Sequence, residues 1–546
     1  SILPQLLTSS AISSARYKLP REIPADTAQV GQAVLRPGNV YRGIGDHFDD
    51  LLPDENVFAS LYKSTGRGAI SPLLLALVTV FQMLEKIPDR LAAELVVSRI
   101  DWKYALHLPL TYTGFHYCDL CFFRQRLLEH GQERLVFEDL LKRLKALGLI
   151  KARGKMRTDS THILGVVEHL SQMELVGESL RLALRAVKGV APAWVEEQLP
   201  AAFCETYEAR QSDYGLSQEE VQARLVQAGR DGFWFLGQLE RTAPARVQHL
   251  AEVEILRTVL GQQFADGPSS PPSSKRPSGR GIIESPHEPE VRRAAKRGRG
   301  WVGYKIQVTE TCDSDTDSPR LITDLDGTEA TANDSPELAN IQERLQAREL
   351  VPAEQYVDQG FMSGKGIADS RKRGIELVGR PLGDTAGAEG FRQDDFQIDE
   401  AACQVVCPAG ETSIVWSERA SEEGEPAAVE VRFAAATCRA CPFFGRCTRS
   451  RQGRSMHLHP YRQELQARRA EANTEAYYQK LKTRAAIEGT ICELVRGHGL
   501  RFARYRGLAK LRLQGLFTAV AVNLKRLAEW WKHTVVGARR SEAKTS

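Results

Sequence analysis

Asp159, Asp358 and Glu488 are the residues of this chain whose types and settings offer chemistry. Asp159 lies in Lys155-Met156-Arg157-Thr158-Asp159-Ser160-Thr161-His162-Ile163-Leu164, a run that otherwise reads as a buried strand. Strand interiors disfavour Asp, and an unpaired buried carboxylate is costly, so such an acid calls for a partner or a metal. Gln355-Tyr356-Val357-Asp358-Gln359-Gly360 repeats the theme, a short apolar strand ending in Asp, with Gly360 allowing a tight exit. Glu488 sits on a long run of helix formers from Tyr461 to Arg496, whose apolar stripe is Ile487, Ile491, Leu494 and Val495. Arg484 lies one turn before Glu488 on the same face. Taken singly, these read as a strand end, a second strand end and a surface ion pair. As a set, three carboxylates suit a hard divalent cation such as Mg2+, which takes few protein ligands and keeps several waters.

The elements that must position them follow from the chain order. Residues 1–65 carry five prolines with little periodicity and read as an irregular lead-in. Ser71-Pro72 is a helix start, and apolar residues then recur at helical spacing to Leu147, with Gly148 as the closing cap, giving a helical domain over 66–150. Beyond the Asp159 strand the pattern is helical again, an insert over 165–265, followed by a Ser/Pro-rich disordered linker over 266–290. Strands are expected at Trp301–Thr309, Leu321–Leu325 and Ile375–Val378, and a helix from Ser335-Pro336 to about Leu350. Strands joined by a helix tend to be parallel neighbours, which would set Asp358 beside Asp159. The expected whole is α/β: a mixed sheet flanked by helices over 151–390 and 455–535, carrying the helical insert and a Cys-rich insert over 391–454, with a disordered tail over 536–546.

The Cys-rich insert holds Cys403-x3-Cys407 and Cys438-x2-Cys441-x5-Cys447. A reducing cytosol argues against disulfides and leaves two readings, structural zinc with five candidates for four positions, or unliganded thiols.

At 546 residues and 42% hydrophobic, the chain can bury several cores. Its formal charge is only +4, so a nucleic-acid surface must come from local clustering. Two clusters qualify. Arg292, Arg293, Lys296, Arg297 and Arg299 have no acid among them, and Arg496, Arg501, Arg504, Arg506, Lys510 and Arg512 are interleaved with Phe502 and Tyr505. No run of about twenty apolar residues exists to span a bilayer. The opening residues lack the basic and apolar regions of a signal peptide, which gives a cytoplasmic expectation, and Ser1 is not an ordinary start.

These motifs resemble the DDE transposases of bacterial insertion sequences. The N-terminal stretch is similar in Gly68-x2-Ser71-Pro72-x-Leu74-Leu75, Pro88-Asp89-Arg90-x-Ala92-Ala93, Trp102-Lys103-Tyr104-Ala105-Leu106 and Phe122-Phe123-Arg124-x-Arg126-Leu127. The catalytic part is similar in Thr158-Asp159-Ser160-Thr161, Val357-Asp358-x-Gly360-Phe361 and Arg484-x2-Ile487-Glu488-Gly489. Val302-Gly303-Tyr304-Lys305 and Arg504-Tyr505-Arg506-Gly507-Leu508-x-Lys510 also fit. The chain departs from the related Tyr-Arg-Glu-Lys signature at Leu481 and Val495, with Tyr478 and Arg496 nearby.

The resemblance implies a ribonuclease H-like sheet with the glutamate brought in by a helix. It implies two Mg2+ or Mn2+ ions, with Asp159 bridging both while Asp358 and Glu488 each complete one, and Arg484 holding Glu488 or a phosphate. The reaction would be hydrolysis at transposon ends, then attack of the freed 3′-hydroxyl on target DNA. The implied partners are double-stranded DNA, as terminal repeats and target, and a second copy of the chain on that DNA; the implied place is the nucleoid. A different class is offered by Asp324-x-Asp326-Gly327-Thr328, which looks like the nucleophile loop of haloacid dehalogenase-type phosphohydrolases, with Gly383-Asp384 as its later acidic motif. A third reading is a DNA-binding derivative with a decayed site.

Overall fold

The computed structural model describes residues 15–62, 69–166, 170–264, 277, 279–296, 298–313, 318–383, 390–419 and 427–545. Its centre is a six-stranded mixed sheet. The middle strand, Lys155–Leu164, pairs antiparallel with Arg299–Thr311 on one side and parallel with Glu354–Val357 on the other. Arg299–Thr311 also pairs antiparallel with Arg292–Lys296 and with Ile322–Glu329. Glu376–Val378 extends the parallel side. The helix Gly364–Lys372 bridges the parallel step from Glu354–Val357 to Glu376–Val378, as parallel strands require, while Asp334–Ala347 leads from Ile322–Glu329 into Glu354–Val357.

A buried polar thread fixes the register across three strands. Thr158 Oγ1 lies 2.8 Å from Thr309 Oγ1 and accepts from Gln355 Nε2 at 2.9 Å, and Gln355 Oε1 accepts from Gln342 Nε2 at 2.9 Å. Slipping any strand by one residue would strand these groups without partners in the interior, at about 1–3 kcal/mol each.

The C-terminal helix, Leu508–Thr545, closes the apolar face of the sheet. Leu511, Leu516, Phe517, Val520, Leu524 and Leu527 are buried, and the Asn523 side chain donates to the Ile322 carbonyl and accepts from its N–H. The same helix packs on Pro72–Glu85, whose Ser71 cap and first-turn proline match the expected start. N-terminal helices and sheet therefore share one core. Helices from Gln172 to Gln263 gather a second core around Leu180, Phe235, Leu239 and Leu256.

Several expectations need correction. Residues 25–61 are not irregular: helices Ala25–Val34, Val40–Asp46 and Phe48–Leu51 and the 3-10 turn Glu55–Leu61 bury Tyr41, Ile44, Phe48 and Phe58 in the main core. The prolines there punctuate helices too short to show a period. Of the linker, 266–276 and 278 lie outside the described residues, but 279–290 is packed. Glu288 accepts from the Tyr304 hydroxyl and from the Gly507 N–H, and His287 bonds Glu178. The C-terminal helix continues to Thr545, where a disordered tail was expected. Asp326-Gly327 lies inside a strand, with Gly327 paired to Ile306, so it is no turn. The Cys-rich insert closes past residue 454, because Ser455–Leu458 pairs with Val429–Arg432.

Candidate active site

The parallel pairing of Thr158 with Val357 sets the next residue of each strand, Asp159 and Asp358, side by side. Arg484 serves both: its Nη1 donates to Asp159 Oδ2 at 2.9 Å, and its Nη2 stands 3.9 Å from Asp358 Oδ1. Asp159 is 13% exposed and Asp358 44%. Burial pushes the Asp159 carboxyl above its ordinary pKa, and the neighbouring Asp358 adds to this. The Ser160 N–H, Arg484 and Lys296 pull the other way without cancelling it. The ionised form of such a carboxyl gains from a nearby cation.

Around the pair the strand loops are tied by residues that sequence reading had not assigned. Asp334 accepts from Ser160 Oγ at 3.2 Å and pairs with Lys305 Nζ at 3.2 Å, and Lys305 also donates to the Ala332 carbonyl. A Cβ on Gly360 would stand 3.1 Å from Asp334 Oδ2, so the glycine makes room for this contact. The Gly303 of Val302-Gly303-Tyr304-Lys305 is demanded by a closer approach: a Cβ there would lie 2.0 Å from the Ile163 carbonyl.

The helix carrying Glu488 departs from expectation. In place of one run there are Arg462–Ala472, Glu475–Ala485, Ile487–Cys492 and a π turn, Glu493–Gly497. The break at Ala486 has a cause on the central strand. Arg157 Nη1 donates to the Thr483 carbonyl at 2.9 Å, the acceptor that the Ile487 N–H would use in an unbroken helix. Arg157 also pairs with Glu310 at 2.6 Å, with both side chains almost fully buried. Glu310 in turn accepts from Thr490 Oγ1 and from Arg526. Arg484 and Glu488 therefore fall on opposite sides of a break. Arg484 faces the aspartates and Glu488 is exposed. Among the described residues no group of three or more His, Cys, Asp or Glu side chains is already spaced to hold a metal ion. The structure brings together two of the three expected acids.

The basic clusters divide. Arg292 is 9% exposed and spent on Glu329 and the Pro289 and Val291 carbonyls. Arg504 binds the Ile87 carbonyl and Arg512 binds Asp326 and the Gly327 carbonyl. These three guanidinium groups already have partners within the fold. Arg293 stands 3.7 Å from buried Glu284. Arg297 lies outside the described residues. Lys296, Arg299, Arg496, Arg506 and Lys510 are exposed, and Arg501 is half-buried against the His162 carbonyl. Lys296 is near enough to Asp159 to act on its charge, and Arg501 and Lys296 both act on His162. One edge of the aspartate pair is thus basic.

The phosphohydrolase reading fails. Asp324 is 1% exposed and clasped by Arg344 at 2.7 Å and Arg348 at 2.8 Å. Burial would raise its carboxyl, but the two guanidinium groups outweigh this and hold it below the ordinary value. Asp326 is paired with Arg134, Arg344 and Arg512. Neither can act as a nucleophile toward a solvent-borne phosphate. Asp384 lies outside the described residues.

Comparison with known families agrees with the motifs. Residues 406–528 match the family model of a transposase DDE domain, and residues 30–126 match that of a transposase domain, DUF772. Both are transposase families, consistent with a DDE transposase of an insertion sequence. The matched ranges include Arg484 and Glu488, while Asp159 and Asp358 lie between them. No curated protein and no solved structure matches the chain. No described helix is long and apolar enough to cross a membrane.

Proposed function

We propose that the chain is a DNA transposase that hydrolyses a phosphodiester at transposon ends and transfers the freed 3′-hydroxyl to target DNA. The observation that carries this is the juxtaposition of Asp159, in the middle of its strand and not at the strand end expected, with Asp358, just past the end of the parallel neighbour, under one arginine. The sheet order supports a ribonuclease H-like reading, with an antiparallel set on one side of the Asp159 strand and two parallel strands on the other. Two hard carboxylate oxygens beside each other, one of them paying a burial cost, fit a divalent cation of the Mg2+ or Mn2+ kind. Asp159 and Asp358 would hold it, and Glu488, exposed beyond the Ala486 break, would complete the set only once brought to the pair. When bound, such ions supply activation of the attacking oxygen and stabilisation of the leaving one.

The chain's own residues do the rest. Lys296, Arg299, Arg496, Arg501, Arg506 and Lys510 would lie along phosphates, and exposed Phe502 offers a ring beside them. Arg484 neutralises the aspartates in the free protein and is placed to meet a phosphate once they are otherwise balanced. The Asp334–Lys305–Ser160 ties would hold the strand around Asp159 in place. The working form would be a dimer on two DNA ends, in the cytoplasm.

Incubation of a labelled duplex carrying the element's own terminal sequence with the protein and Mg2+ tests the reading. Nicking at the transposon end supports it. Tight binding with no metal-dependent cleavage instead supports a decayed DNA-binding derivative.

A further inference from the structure

We infer that Cys407, Cys438, Cys441 and Cys447 form a four-thiolate site for a structural Zn2+, with Cys403 outside it. The four come from three short segments that border one cavity. Cys407 opens a turn in which Gly410 N–H donates to the Cys407 carbonyl at 2.8 Å, with Gly410 at φ +84°. Cys438 lies on the short helix Ala435–Ala440 and Cys441 follows its end. The Phe443 N–H points at Cys441 Sγ at 3.5 Å, the kind of donor that stabilises a thiolate, and Cys447 N–H returns to the Phe443 carbonyl at 2.8 Å.

All four thiols line one cavity of about 30 Å³, walled by Phe396, Phe433 and Phe444. Cys403 does not line the cavity; it is exposed, at φ +53°, with Sγ near the Glu400 carbonyl.

The need for a staple is physical. The insert's core holds Phe396, Val405, Val431, Phe433, Met456 and Leu458. A core of six buried apolar side chains is small for a module of this size, the setting in which a cross-link or a structural metal adds most, and the cysteines are free of disulfides. Thiolates of this number and spacing select zinc over hard cations. No three of the thiols stand at ligand spacing in this structure, and binding would require them to be drawn together around the ion.

The full-length protein, prepared under reducing conditions and reconstituted with Zn2+ or Co2+, provides the test. The expected result is about one metal ion per chain with a thiolate-to-Co2+ charge-transfer band. Cys438→Ser and Cys447→Ser should lose the metal at least tenfold, and Cys403→Ser should retain it. Because the first two variants could misfold, the wild-type protein is also stripped with a chelator and probed by limited proteolysis. Cleavage within 390–458 should appear on stripping and disappear when Zn2+ returns. Absence of metal in the reduced wild-type protein, retention in Cys438→Ser, loss in Cys403→Ser, or proteolysis indifferent to chelator would overturn the inference.

Discussion

Arg157, two residues before Asp159 on the central strand, donates to the backbone carbonyl of Thr483, the residue before Arg484, at 2.9 Å. The strand that carries one acid thus also sets where the arginine-bearing helix ends. The contact belongs to a buried network of Arg157, Glu310, Thr490 and Arg526 that clamps both sides of the Ala486 break.

Arg157→Ala should therefore cost stability before it costs anything else. It leaves Glu310, which is fully buried, short of its main partner, a loss of about 3–5 kcal/mol in denaturant unfolding. A loss under 1 kcal/mol would mean that the network does not hold the helix.

The pH dependence of the aspartate pair follows from the raised Asp159 pKa. A carboxyl whose folded pKa lies above its unfolded value binds its proton more tightly in the native state. Its contribution favours folding at low pH and is lost as pH rises from about the ordinary 3.8 through the raised value. Metal-free Asp159→Asn should then be more stable than wild type at neutral pH, with the advantage shrinking on acidification. Paired thermal melts across that range check the sign.

DNA binding should separate the two kinds of arginine. Removing Lys296, Arg496 or Lys510 should weaken binding across sequences and reduce the salt slope by about one each. Arg292→Gln and Arg504→Gln should instead lower stability, since their guanidinium groups are spent on Glu329 and the Ile87 carbonyl. Salt titrations alongside melts distinguish the two.

Gly303→Ala should fail structurally. Its Cβ would meet the Ile163 carbonyl at 2.0 Å, backbone against backbone, in the pairing that carries Asp159. Overpacking of this kind costs about 1–3 kcal/mol or more, read as a lowered melting temperature.

What was legible in the sequence was local. Asp159 and Asp358 betrayed themselves as acids where strands should be apolar, and their strands are parallel neighbours as expected, although the helix Asp334–Ala347 enters the Asp358 strand from Ile322–Glu329 and not from the Asp159 strand. The break at Ala486 was not legible, because its cause is a side chain far away in sequence. Nor could spacing say which arginines were free, since Arg292, Arg504 and Arg512 are claimed by acids and carbonyls in other segments. Residues 279–290 read as disordered because Glu284 and Glu288 find their partners only in the folded sheet and the C-terminal turn.

The central claim is that Asp159 and Asp358 form one metal-dependent centre for phosphodiester chemistry. The most direct measurement compares wild type, Asp159→Asn and Asp358→Asn on a labelled transposon-end duplex in Mg2+, with binding measured in parallel. The account predicts that all three bind the duplex and that only wild type nicks and joins it. An Asp159→Asn protein that cleaves and joins at the wild-type rate would contradict it.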